Sequence, residues 1–105
     1  MSFDFEIKQG RSFKASGFAL NDDDTPRDIS NIALHSHVRD KRGRRVAILD
    51  VAVIDAISGE YELSANDTTS WPPGTLYLDI LELENGEKTL TETIVFKVEE
   101  AITRL

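Results

Sequence analysis

Apolar and polar residues alternate from the start of the chain, Phe3, Phe5 and Ile7 against Asp4, Glu6 and Lys8. A period of two puts each set on its own face of an extended strand, one packed and one wet. Gln9-Gly10 breaks the run. A second extended segment spans residues 11–20, with Phe13, Ala15 and Gly17 in one phase and Phe18 and Leu20 in the other. That change of phase predicts a bulge near Gly17. After a polar connection over 21–31, alternation resumes over 31–39 with Ile32, Leu34 and Val38 inward. Asp40-Lys41-Arg42-Gly43-Arg44 then turns tightly into residues 46–54, which are apolar almost throughout. Five of those nine residues are β-branched, which favours a strand over a helix and predicts cover on much of both faces.

Residues 55–59 form another turn, and 60–64 a short strand carrying Tyr61 and Leu63. A longer crossing over 65–74 ends in Trp71-Pro72-Pro73-Gly74 and leads into a strand at 76–84. Asn85-Gly86 is the strongest local signal, because both residues accept the positive φ angles of a type I′ hairpin. A last strand over 89–98 places Ile94, Phe96 and Val98 on one face. Seven short strands separated by turns predict one all-β domain over residues 1–105. The expected architecture is a seven-stranded immunoglobulin-like Greek-key β-sandwich.

Composition narrows the function. A chain of 105 residues suffices for one hydrophobic core without disulfides or metal staples. Twelve basic residues against nineteen acidic ones leave a net charge of −7, which disfavours general nucleic-acid or anionic-membrane binding. With no cysteine, thiol catalysis, iron–sulfur clusters and Cys-based zinc sites are excluded. No apolar run resembles a signal peptide or a membrane span, so a soluble anionic domain is expected.

If consecutive strands run up and down, each loop belongs to one end of the domain. The loops after the first, third and fifth strands gather Arg39, Lys41, Arg42, Arg44 and Arg45 at one pole, with Trp71 beside them. The other loops gather Asp22, Asp23, Asp24, Asp28, Asp55, Glu60, Glu84 and Glu87. Poles of opposite sign suit end-to-end stacking or oriented docking on a charged partner. Arg39, Lys41, Arg42, Arg44, Arg45 and Trp71 are therefore the candidate partner-binding residues. The alternative is that the loops are charged because they are wet, with Trp71 plugging the end of the core.

Catalytic signals are lacking: there is no nucleophile elbow, phosphate-cradling glycine loop or zinc-protease helix, so no enzyme, catalytic residue or cofactor is expected. His35 and His37 share a strand face but supply at most two metal ligands, and a solvent-facing position is the simpler reading. Asn21-Asp22-Asp23-Asp24 lacks the spacing, central glycine and distal glutamate of a calcium loop. Asn66-Asp67-Thr68 matches a glycosylation acceptor but reads as a turn. Tyr77, at the start of the sixth strand, is expected to tie its hydroxyl back to the preceding crossing as a tyrosine corner. Asn85 and Gly86 are structural as well.

Several segments taken together carry a resemblance. They are Phe3-Asp4-Phe5-Glu6-Ile7-Lys8-Gln9-Gly10, Val38-Arg39, Ser58-Gly59-Glu60-Tyr61-Glu62-Leu63-Ser64 and Pro73-Gly74-Thr75-Leu76-Tyr77-Leu78-Asp79-Ile80. Their order resembles small immunoglobulin-like structural proteins of tailed bacteriophages and prophages, including the amino-terminal domains of some baseplate upper proteins. The resemblance implies a non-catalytic virion component of the tail or baseplate, made in the bacterial host cytoplasm. It implies contacts with other virion proteins or with copies of itself, and none with nucleic acid or membrane. Two alternatives stay open. One is a capsid decoration protein; the other is a carbohydrate- or host-surface-binding adhesin, for which Trp71, Tyr61 and Tyr77 would supply the aromatic platform.

Overall fold

The computed structural model describes residues 3–91 and 93–103. These form eight strands and no helix: β1 (Phe5–Lys8), β2 (Phe13–Phe18), β3 (Ala33–Asp40), β4 (Arg45–Asp55), β5 (Glu60–Ala65), β6 (Gly74–Glu84), β7 (Glu87–Leu90) and β8 (Ile94–Glu99). Hydrogen bonding links them into one mixed sheet in the order β1-β8-β6-β3-β4-β5-β2, with β7 also on β6. The β1–β8 pair is parallel and the others are antiparallel. The sheet curls until its two ends meet. The rings of Phe5 on β1 and Phe13 on β2 stack 5.7 Å apart, yet no backbone ladder among the described residues joins these strands. The result is nearly a barrel, with one seam closed by side chains rather than by hydrogen bonds.

The seam and the interior are filled by the inward phase of each strand. Phe13, Val38, Leu49, Leu63, Leu76, Leu78, Ile80, Phe96 and Val98 are all buried. A smaller cluster of Ala19, Ile29 and Ile32 closes the end beneath the 21–31 connection. Ile29 is only 1% exposed, so that connection is not wholly polar in its packing.

Three sequence expectations need correcting. The first concerns Gly17. The β2–β5 register runs unbroken from Phe13↔Ala65 to Phe18↔Glu60, so there is no bulge. The Tyr61 ring lies over Gly17, where a Cβ would come within 2.6 Å of its hydroxyl oxygen, so a larger residue there would have to displace that ring. The phase change arises because Phe18 and Leu20 face solvent.

The second concerns β4, which is not covered on both faces. Its first half pairs with β3 (Ser36↔Leu49) and its second half with β5 (Asp50↔Ser64), so one strand serves two regions of the curled sheet. Leu49 alone is fully buried along it, while Ile48, Val53 and Ile54 are about half exposed or more.

The third concerns the end of the chain, where eight strands replace the expected seven. The expected strand over 89–98 is divided between the end of β7 and β8. Thr91 holds the joint to β6, its N–H donating to the Ile80 carbonyl (3.0 Å) and its hydroxyl oxygen accepting from the Ile80 N–H (2.9 Å). The hairpin itself forms as expected: Asn85 (φ 51°) and Gly86 (φ 83°) separate the paired Glu84 and Glu87.

Candidate functional site

Strand directions alternate from β1 to β6, so the loops sort to two poles as the sequence implies. An eleven-residue strand spans about 36 Å at about 3.3 Å per residue, which only the 42 Å axis of the 42 × 26 × 24 Å molecule accommodates. The poles therefore lie at opposite ends of an elongated body.

At the first pole, the crossing from β5 to β6 is knitted onto the β1–β2 turn. The Thr68 hydroxyl donates to the Arg11 carbonyl (2.7 Å) and accepts from the Gly10 N–H (2.9 Å). The Gln9 side-chain amide donates to the Trp71 carbonyl (2.9 Å). These bonds seat Trp71 in the core at 1% exposure, its ring tilted against Phe13 (5.7 Å) and Phe96 (6.0 Å). Trp71 is thus a core plug and not a contact residue, because its whole apolar ring is already covered.

Tyr77 is displaced from its expected role as well. Leu76 and Leu78 take the inward phase of β6, so Tyr77 lies on the outer face in register with Arg39 and Val95. The crossing is tied down by Thr68 instead. Thr68 is 0% exposed, and its signal in the sequence was hidden within the Asn66-Asp67-Thr68 turn.

The β3–β4 hairpin carries the basic charge of this pole. Arg39, Lys41, Arg42, Arg44 and Arg45 are all exposed. Asp40 organises the turn beneath them: one carboxylate oxygen accepts from the backbone N–H of Arg42 and of Arg44, both at 2.9 Å. Its other oxygen meets the Arg44 side chain at 3.0 Å. The backbone N–H of Arg44, with further help from Arg42 and the Arg44 side chain, outweighs desolvation and holds the Asp40 carboxyl below its usual pKa. The Arg39 guanidinium donates to the Gly43 carbonyl (2.9 Å), and Gly43 supplies the positive φ of 81° that the turn needs. Among the described residues, no ion pair engages Lys41, Arg42 or Arg45. The hairpin is a preorganised loop presenting basic side chains to solvent.

The opposite pole keeps its acidic side chains, with one internal counter-charge absent from the sequence reading. Arg27 reaches Glu82 at 2.5 Å and Glu84 at 3.7 Å. Glu82 sits in the inward phase of β6 and is largely buried, so this pair fills the end of the core rather than decorating it. Nearby, burial and then the Glu82 charge raise the pKa of the Tyr61 hydroxyl. Arg27 and Glu82 lie 55 positions apart, and no local pattern announces such a contact.

Asp23, Asp28 and Asp67 each accept from the hydroxyl and the backbone N–H of the residue two positions on: Thr25, Ser30 and Thr69. The side-chain hydroxyl in each case, followed by the backbone N–H, lowers the carboxyl pKa. The repeated Asp-x-Ser/Thr pattern is therefore a turn device.

His35 is exposed and His37 half-buried on the outer face of β3, with His37 in register with Ile48 and Asp79. No group of three or more metal-binding side chains occurs among the described residues. Among the described residues, no helix is long and apolar enough to cross a membrane. No protein-family model matches the chain, and no curated protein matches it as a relative.

Proposed function

We propose that this protein is a non-catalytic structural or accessory component of a tailed-phage particle, in the tail or baseplate, attaching by protein–protein contact through its basic β3–β4 hairpin. The single observation that carries the attachment reading is the set of solvent-facing side chains Lys41, Arg42 and Arg45 on an ordered turn at the far end of the molecule from the acidic loops. Such an arrangement favours one docking orientation and accelerates encounter with an acidic partner surface.

We read the nearly closed sheet as a variant of the immunoglobulin-like Greek key. The β2–β5 pair corresponds to the central pair of one layer, and β3–β6–β8 to the three strands of the other. In this reading β4 passes between layers and β7 is an added hairpin strand. The resemblance to phage immunoglobulin-like proteins is what favours a virion component, with tail or baseplate the leading station. Capsid decoration rests on the same contact chemistry and remains the neighbouring alternative. The adhesin alternative needed an exposed aromatic platform. Of the three rings it named, Trp71 lies in the core and Tyr61 is half-buried against Gly17, which leaves Tyr77 on an outer face.

Reversing three charges tests the attachment reading. The variant R42E/R44E/R45E is expected to keep the parent melting transition, because these side chains are exposed and contribute little to folding. Sedimentation at low and high salt is expected to show weakened association with most of its salt dependence gone. Where the parent associates, a variant whose association matches it at both salt levels would reject docking through this hairpin.

A further inference from the structure

The acidic pole carries a feature that charge alone does not explain. Phe18 (57% exposed), Leu20 (51%), Ile54 (55%) and Ile57 (76%) all project there. These four are half of the exposed large hydrophobic residues among those described. Backbone bonds draw them together. The Ala19 N–H donates to the Gly59 carbonyl (2.8 Å), the Arg27 N–H to the Ala19 carbonyl (3.0 Å), and the Ile29 N–H to the Ala56 carbonyl (2.9 Å). Ile54 is the extra residue of the β-bulge where the β4–β5 register shifts between Val53 and Asp55, and Phe18 lies across Glu60 from Asp55. The patch is therefore built on fixed backbone and loses little freedom on being covered. Asp22, Asp23 and Asp24 follow Leu20 in the chain, and Glu60 pairs with both Phe18 and Asp55, so carboxylates accompany these apolar side chains, a mixture suited to an interface.

The geometry points to a second copy of this chain as the occupant, docked head to tail with its basic hairpin on this apolar and acidic patch. The complement is present on the same molecule. Arg39, Lys41, Arg42, Arg44 and Arg45 supply the opposite charge, and Ile48, 61% exposed on β4 three residues from Arg45, supplies an apolar contact. A symmetric patch-on-patch contact is disfavoured, because it would bring two sets of the same five carboxylates together. Opposite ends meeting heterologously produce a ring or a linear array. This inference rests on the attachment reading above and deepens it by naming the partner and the acceptor surface.

Two blocked variants test it. F18S/I57S spoils the acceptor end and R42E/R44E/R45E spoils the donor end; I57S alone, in an exposed turn, guards against a folding defect. By sedimentation velocity at low salt, the parent is expected to form concentration-dependent oligomers. Each blocked variant alone is expected to associate about tenfold more weakly or less. Mixed in equal amounts, the two are expected to form dimers and nothing larger, because each retains one working end. A parent that stays monomeric, or a mixture that does not dimerise, overturns the inference while leaving attachment to a different protein intact. Parent-like association of both F18S/I57S and I57S, alongside loss in R42E/R44E/R45E, overturns the acceptor assignment alone.

Discussion

Replacing Trp71 with alanine is expected to lower the unfolding free energy by about 3–5 kcal/mol. The side chain is 1% exposed and wedged between the rings of Phe13 and Phe96, so truncation removes its burial and leaves a cavity under the crossing. The Gln9 and Thr68 bonds hold the backbone around it in place, which limits how far the site can collapse to fill the space. A domain of this size has about 5–15 kcal/mol in total, so the variant is expected to sit close to its unfolding midpoint at moderate urea. Urea titration followed by far-ultraviolet circular dichroism measures the effect. A loss below about 1 kcal/mol would mean that Trp71 is not the plug of the core, and would restore it as a contact residue.

Gly59→Ala is the second large effect, expected at about 2–4 kcal/mol. Gly59 has φ +75°, and a Cβ there would lie 2.6 Å from the carbonyl oxygens of both Ala19 and Arg27. The Ala19 carbonyl cannot retreat freely, since it already accepts from the Arg27 N–H while the Ala19 N–H donates to the Gly59 carbonyl. Gly43→Ala is the matched control. It has a similar φ of +81° but nothing within 4 Å of the added carbon, so only the conformational part is expected, about 1 kcal/mol. Equal losses at the two glycines, read from thermal melts, would show that close approach contributes nothing at Gly59.

The strands that alternate cleanly were legible from the chain because a period of two depends only on which face is buried. Phe5 and Ile7, Phe13 and Ala15, and Phe96 and Val98 all point where alternation puts them. The Asn85-Gly86 turn was legible because its backbone angles are a local property. Burial along β4 was not, because a run of Val, Ile and Leu looks alike whether a strand is central or passes between two regions of a curled sheet. At Tyr77 the expected corner does not form because Leu76 and Leu78 take the inward phase of β6, which puts Tyr77 on the outer face. The roles of Thr68, Arg27 and Glu82 depend on contacts across more than fifty positions, and no spacing within their own segments encodes them. The basic hairpin was the most legible part of the candidate site, since its charges are consecutive. The apolar centre of the opposite pole was hidden because Phe18 and Leu20 imitate a bulge, while Ile54 imitates core.

Contacts between exposed charged ends are screened over about 10 Å at 0.1 M salt, so attachment driven by these poles has to weaken as salt rises. Sedimentation equilibrium of the unaltered protein across a salt series reads this directly. The association constant is expected to fall steadily from low to high salt while the melting transition holds. An association constant that stays level or rises over the same series would contradict docking by opposite poles.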